Sequence, residues 1–228
     1  MDIKHVQLQT NKLQEMKIFY GELLGFTILN ASSNCFQIQV GISIIEFTNQ
    51  GVEGKPFYHF ALDIPANQFV EAKEWLKSKT VLLKEDGDDE VYFSFFVAKS
   101  CYFEDPSGNI IEFIARLNDT PESEIPFSIT SIRKISELSL VVPDTLSAAE
   151  QLAQIQIMKR EHSVISKNSL NFMSDQKTKV YLLLVGPGRT WYFSDKPSEI
   201  FTLTITLDSG HVIGINQHKQ FFVNKSIS

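Results

Sequence analysis

Two stretches of this chain repeat one order of elements at an offset of roughly 55 residues, and that repeat limits the possible folds more than any single motif does. In the first stretch residues 3–9 alternate: Ile3, His5, Gln7 and Gln9 share one face, Val6 and Leu8 the other. That is the period of a strand. Leu13, Met16, Phe19, Tyr20, Leu23 and Leu24 then recur at helical spacing, with Thr10 or Asn11 as a cap and Gly25 as a stop. Strands are predicted over residues 26–29, 35–40 and 42–48, and on the last Ile44, Glu46 and Thr48 share a face. In the second stretch residues 57–63 alternate, with Phe57, His59, Ala61 and Asp63 on one face. Pro65 opens a helix carrying Phe69, Ala72, Trp75 and Leu76. Strands follow near 81–83, 91–97, 100–103 and 109–115. Each stretch reads β-α-β-β-β, the second with the short 81–83 segment in addition, so residues 1–50 and 55–116 are predicted to form a pair of modules.

The second module closes on Asp105-Pro106-Ser107-Gly108-Asn109, a turn flanked by apolar residues. The strand after it carries one carboxylate, Glu112, between Ile111 and Phe113. A glutamate there is expected to be paired, metal-bound or on a wet face. Residues 117–133 read as a linker holding two prolines, Pro121 and Pro126. Residues 134–228 read as a degenerate third module with a partial fourth. A strand is predicted over 135–142, a helix over 148–157 behind the cap signal Pro143-Asp144-Thr145, a hairpin over 169–185 and a further strand over 200–207. The tail, 217–228, is expected to be loosely ordered.

His5 and His59 hold the same place in the first strands of their modules, and Glu46 and Glu112 the same place in the last strands. If the two modules pack about a pseudo-twofold axis, these four side chains converge. Two imidazoles and two carboxylates suit Zn, Ni, Co, Mn or Fe, and one divalent ion is the expected cofactor. In the third module the position matching His5 is about Glu137, and the one matching Glu46 falls within the apolar run 181–185. The His/Glu pattern is not carried there, and 181–185 with Trp191-Tyr192-Phe193 suggests packing rather than chemistry.

The net charge of −6 argues against nucleic acid as a partner. Cys35 and Cys101 are isolated and make no disulfide framework. No apolar run is long enough to span a membrane, and the N-terminus lacks a signal-peptide h-region. A soluble, cytoplasmic protein is the expectation.

The modules resemble the vicinal oxygen chelate superfamily, which includes glyoxalase I, extradiol dioxygenases and bleomycin-type resistance proteins. The resembling residues are His5 in Lys4-His5-Val6-Gln7-Leu8, the helix end Phe19-Tyr20 to Gly25-Phe26, and Glu46 in Ile45-Glu46-Phe47. His59-Phe60-Ala61-Leu62 and the stretch ending Ile111-Glu112-Phe113 also match. The resemblance implies an α+β fold of tandem βαβββ modules, with curved mixed sheets around a metal-binding cavity. It also implies a small-molecule substrate and allows a homodimer. In glyoxalase-I-like members one His and one Glu from each module bind the metal, which implies His5, Glu46, His59 and Glu112 here. An enediolate-type intermediate follows, with Glu112 or Glu46 moving the proton in an isomerase or lyase reaction. Two alternatives stay open: an Fe(II) extradiol ring-cleaving dioxygenase using His5, His59 and Glu112, and a metal-free small-molecule-binding protein.

Overall fold

The computed structural model describes residues 1–225, and in it the strands divide between two sheets. The first module supplies β1 (Ile3–Gln9), α1 (Leu13–Lys17), β2 (Ile28–Ala31), β3 (Cys35–Val40) and β4 (Ser43–Thr48). The second supplies β5 (His59–Ile64), α2 (Phe69–Lys77), β6 (Val91–Phe93), β7 (Ala98–Glu104) and β8 (Ile110–Arg116). The third supplies β9 (Lys134–Val141), α3 (Thr145–Gln154), β10 (Met158–Lys159), β11 (Asn171–Ser174) and β12 (Tyr181–Val185). The chain ends in β13 (Leu203–Leu207), β14 (His211–Ile215) and β15 (Phe221–Lys225). The fold is α+β, built on the βαβββ unit.

The pairing of units is nested. One sheet runs β15-β14-β13-β1-β4-β3-β2, joining the first module to the C-terminal strands. The other runs β10-β11-β12-β9-β5-β8-β7-β6, joining the second module to the third. In both sheets the join is an antiparallel pair of opening strands, β1 with β13 and β5 with β9. Within each of the three complete modules the last strand lies parallel to the first, as a crossover helix requires. The first two modules therefore do not share a sheet. The tail also differs from expectation: β15 pairs along its whole length with β14, because Phe221 and Val223 pack on the core. Residues 226–228 lie outside the described residues.

Alternation sorts the two faces of the second sheet. Ile111, Phe113 and Ala115 of β8 turn to the main core, where α2 lays Phe69, Ala72 and Leu76 against the strands. Ile110, Glu112, Ile114 and Arg116 turn the other way. The helix predicted over 13–24 is α-helical only to Lys17 and continues as a π-helical turn over Ile18–Leu23. Asp144 caps α3 as expected, accepting from the N–H groups of Leu146 and Ser147.

The turn before β8 is a buried latch. The Asp105 carboxylate accepts from the Ser107 and Asn109 N–H groups at 2.9 and 3.0 Å and from Asn109 Nδ2 at 2.7 Å. It also accepts from the Tyr20 hydroxyl, in the first module, at 2.8 Å. Gly108 is needed in this turn: its φ is +82° and a Cβ would meet Lys196 Nζ at 2.7 Å.

Candidate metal centre

β8 and β9 flank β5, and their register sets one row across three strands. Glu112 stands opposite Ala61, and Ala61 opposite Glu137. Row neighbours project to one face of a sheet, so both carboxylates enter the same space with only a methyl group between their strands. His59, two residues before Ala61, projects to that face as well. Ligating atoms of His59, Glu112 and Glu137 all lie within 4.8 Å of one another, and the three residues are buried. His59 Nε2 is 3.6 Å from Glu112 Oε2. Its Nδ1 is 3.0 Å from the Ile110 carbonyl oxygen. A carbonyl only accepts, so Nδ1 carries the proton and the Nε2 lone pair faces the carboxylates.

Burial dominates the electrostatics. It pulls His59 down to about 4, with a smaller contribution from the Arg189 charge. Burial, then the charge of Glu137, pushes the Glu112 carboxyl up to about 8. Burial raises Glu137 as well, against the pull of Arg116. The Arg116 guanidinium is buried, pairs with Glu137, and lies 5.5 Å from the ring centroids of both Phe96 and Tyr181. With both glutamates ionised, one guanidinium leaves one net negative charge in a dry site. A divalent cation between Nε2 and the two carboxylates would offset it and leave one positive charge for an anionic oxygen of a ligand. The N/O donor set and the fixed imidazole tautomer fit such an ion.

The four residues expected to converge form two pairs on separate sheets. His59 and Glu112 are joined by Glu137, from the opening strand of the third module. His5 and Glu46 lie on the other sheet, with His5 Nε2 at 3.6 Å from Glu46 Oε2. There Gln7 Nε2 donates to Glu46 Oε1 at 2.7 Å and Gln37 Nε2 to Oε2 at 2.6 Å. Burial acts to raise Glu46, but these amides and nearby His5 outweigh it, and the carboxyl is held below its ordinary value. The cause of the split is the nested pairing, which places β13 rather than β5 beside β1.

Pseudo-symmetry explains why the third module contributes a glutamate. Glu137 is to β9 what His59 is to β5, since Glu137 faces Ala61 and the His59 N–H donates to Ser139 Oγ at 3.1 Å. The counterpart of Glu112 faces Ser139 from β12 and is Leu183. Three of the four symmetry-related positions thus carry ligating side chains and the fourth is apolar.

A cavity of about 260 Å³ opens above the three residues. Phe93, Phe96, Tyr102, Phe172, Trp191 and Tyr192 line it, with Arg189. Trp191 lies 5.2 Å from the His59 ring, centroid to centroid, and Phe193 stacks on Tyr102 at 4.6 Å. The third module and the loop after it therefore complete the site, where the sequence suggested packing alone.

Paired βαβββ units that cup a His/Glu/Glu cluster define a vicinal oxygen chelate protein. The sequence pattern of the Glyoxalase/Bleomycin resistance protein/Dioxygenase superfamily matches residues 2–113, and the chain belongs to this superfamily. A second pattern, that of the toxoflavin-degrading enzyme, matches residues 135–189. No curated protein sequence matches the chain. Among solved structures it is similar to a protein of Bacillus subtilis subsp. subtilis str. 168 assigned provisionally as a dioxygenase. Identity is 13% and the TM-score 0.58, over 98% of this chain and 84% of that one. It is also similar to a V278E mutant of glyoxalase I from Zea mays, at 14% identity and a TM-score of 0.53, over 81% of this chain and 66% of that one. Both likenesses concern the fold. Among the described residues, no helix is long and apolar enough to cross a membrane.

Proposed function

We propose that this chain is a divalent-metal-dependent enzyme that opens a small planar ring carrying two adjacent oxygens, with O₂ as the second substrate. The observation that carries this reading is the His59/Glu112/Glu137 cluster at the base of an aromatic-walled cavity. Two carboxylates and one imidazole form a harder set than two imidazoles and one carboxylate, which favours Mn or Fe(II). Such an ion, when bound, would act as a Lewis acid toward the two adjacent oxygens. Three protein ligands leave positions open for both of them.

The chain's own residues do the rest. Flat aromatic side chains select a flat ligand and exclude water. Ile110 holds the His59 ring, and Arg116 holds Glu137. The match of residues 135–189 to the toxoflavin-degrading enzyme pattern supports a heterocyclic or aromatic substrate, because those residues include Glu137, Phe172 and Arg189. A second reading rests on Glu112, whose raised pKa suits proton transfer near neutral pH in a lyase or isomerase reaction. The test is O₂ uptake by Mn(II)- or Fe(II)-loaded protein with catechol, against turnover of a methylglyoxal hemithioacetal. Uptake lost on Glu137→Gln supports ring opening. Hemithioacetal turnover without O₂ uptake would replace it with the second reading.

A further inference from the structure

Among the described residues, Arg189 is the one Arg or Lys that lines the aromatic cavity. Its backbone is clamped to Ser198, a buried residue: the Arg189 N–H donates to Ser198 Oγ at 2.9 Å, and the Arg189 carbonyl accepts from the Ser198 N–H at 2.7 Å. Its guanidinium lies 5.5 Å from the Trp191 ring centroid. Among the described residues, Arg116 pairs with Glu137 and Arg160 with Glu161, whereas half-buried Arg189 forms no ion pair. Burial lowers its pKa, and no carboxylate counters that.

The acids that line the outer groove with it are engaged elsewhere or form no ion pair with it. Glu104 pairs with Lys196 at 2.8 Å, and Glu85 accepts from the Phe193 N–H. Asp86 and Asp195 line the same outer groove without pairing to Arg189. A guanidinium kept half-dry and unpaired beside a cavity is a ready fork for a planar anion. The cavity itself is smaller than the roughly 300–1,000 Å³ of sites for drug-sized ligands, which limits the occupant to a single or fused ring.

We propose that Arg189 recognises a carboxylate on the substrate, at the end of the ring away from the metal-binding oxygens. The substrate class is then an aromatic or heteroaromatic acid with two adjacent oxygens. This rests on the metal-centre reading above for the position of the oxygens, while the carboxylate contact is Arg189's own.

The experiment compares binding of catechol and of a benzoate bearing two adjacent hydroxyls to Mn(II)-loaded protein, read by tryptophan fluorescence. Mn(II) occupancy is followed separately by electron paramagnetic resonance. The acid is expected to bind at least about tenfold tighter than catechol, the low end for a charge-assisted hydrogen bond. In Arg189→Met that ratio should fall toward one, and Arg189→Lys should restore part of it. Equal affinities in the unaltered protein, or a ratio unmoved by Arg189→Met, would overturn the proposal. So would failure of both ligands to bind while Mn(II) is bound. Absence of a bound Mn(II) signal would instead sink the metal-centre reading, and the acid-to-catechol ratio, measured without metal, would still decide the role of Arg189.

Discussion

Glu112 and Glu137 face each other across Ala61, on three adjacent strands in a single row. Like charges so placed and buried need a cation or a proton between them. Every expectation for the site follows from that pair.

The first concerns metal. One divalent ion per chain is expected, by equilibrium dialysis with elemental analysis. His59→Ala, Glu112→Gln and Glu137→Gln should each weaken binding by at least the 10–100-fold seen for groups standing behind a ligand. His5→Ala and Glu46→Gln should change it by less than about threefold. Strong loss on His5→Ala would mean that the first module joins the site after all.

The small residue in the middle of the row gives a second test. Ala61 is fully buried, and Ala61→Val would insert two methyl groups between the carboxylates. Overpacking is expected to lower stability by about 1–3 kcal/mol in urea unfolding. Metal affinity should fall as well, because the carboxylates must spread. Unchanged affinity in a folded Ala61→Val protein would show that the row does not set the ligand spacing.

The pH dependence of the metal-free protein has a definite sign. Glu112 rises from 4.5 to about 8 on folding, so the folded state keeps a proton that the unfolded chain has released. Stability is complete below 4.5 and is lost as pH climbs through 8. His59 drops from 6.5 to about 4, so stability is lost in the opposite direction, as pH falls from 6.5 through 4. Asp63 and Asp105, each raised from 3.8 to about 6, act like Glu112 but finish titrating lower. The limb between 6.5 and 8 therefore belongs to Glu112, raised by burial and by the charge of Glu137. Unfolding free energy should fall there by up to about 1.4 kcal/mol per pH unit, the one-proton slope. Glu112→Gln or bound metal should flatten that limb; a limb that survives both would assign it to other groups.

The Asp105 latch predicts a contrast between two variants. Asp105→Ala strands buried donors from Asn109 and Tyr20 and should cost about 3 kcal/mol or more. Tyr20→Phe removes one hydrogen bond and should cost about 1 kcal/mol. Similar losses in both, measured by urea unfolding, would show that the bond between the modules is the whole of the latch.

Much of this was legible in the sequence, for physical reasons. The period of two placed His59 and Ala61 on one face, and the turn after Phe103 marked Glu112 as the odd residue of its strand. Both signals are local. The partner of each module was not legible, because strand edges are chosen by contacts between residues far apart in the chain. Glu137 was visible at the matching position, but it registered as a lost histidine. It is one ligand type standing in for another, a distinction only the facing strand reveals. Arg116 continues the alternation of Glu112 and Ile114, but its partner Glu137 comes from another module, and Arg189 sits in a loop that carries no periodic signal.

The nested pairing bears on how the chain acquires its shape during synthesis. β5 finds β9 soon after it is made, whereas β1 is joined by β13, among the last strands to be translated. Until then β1 keeps one flank of unpaired backbone groups open to other chains. Distant partners also slow closure. Pulse-labelling hydrogen exchange should accordingly find the amides of β5 protected before those of β1 that bond to β13. Simultaneous protection would mean that the two sheets assemble as one cooperative unit.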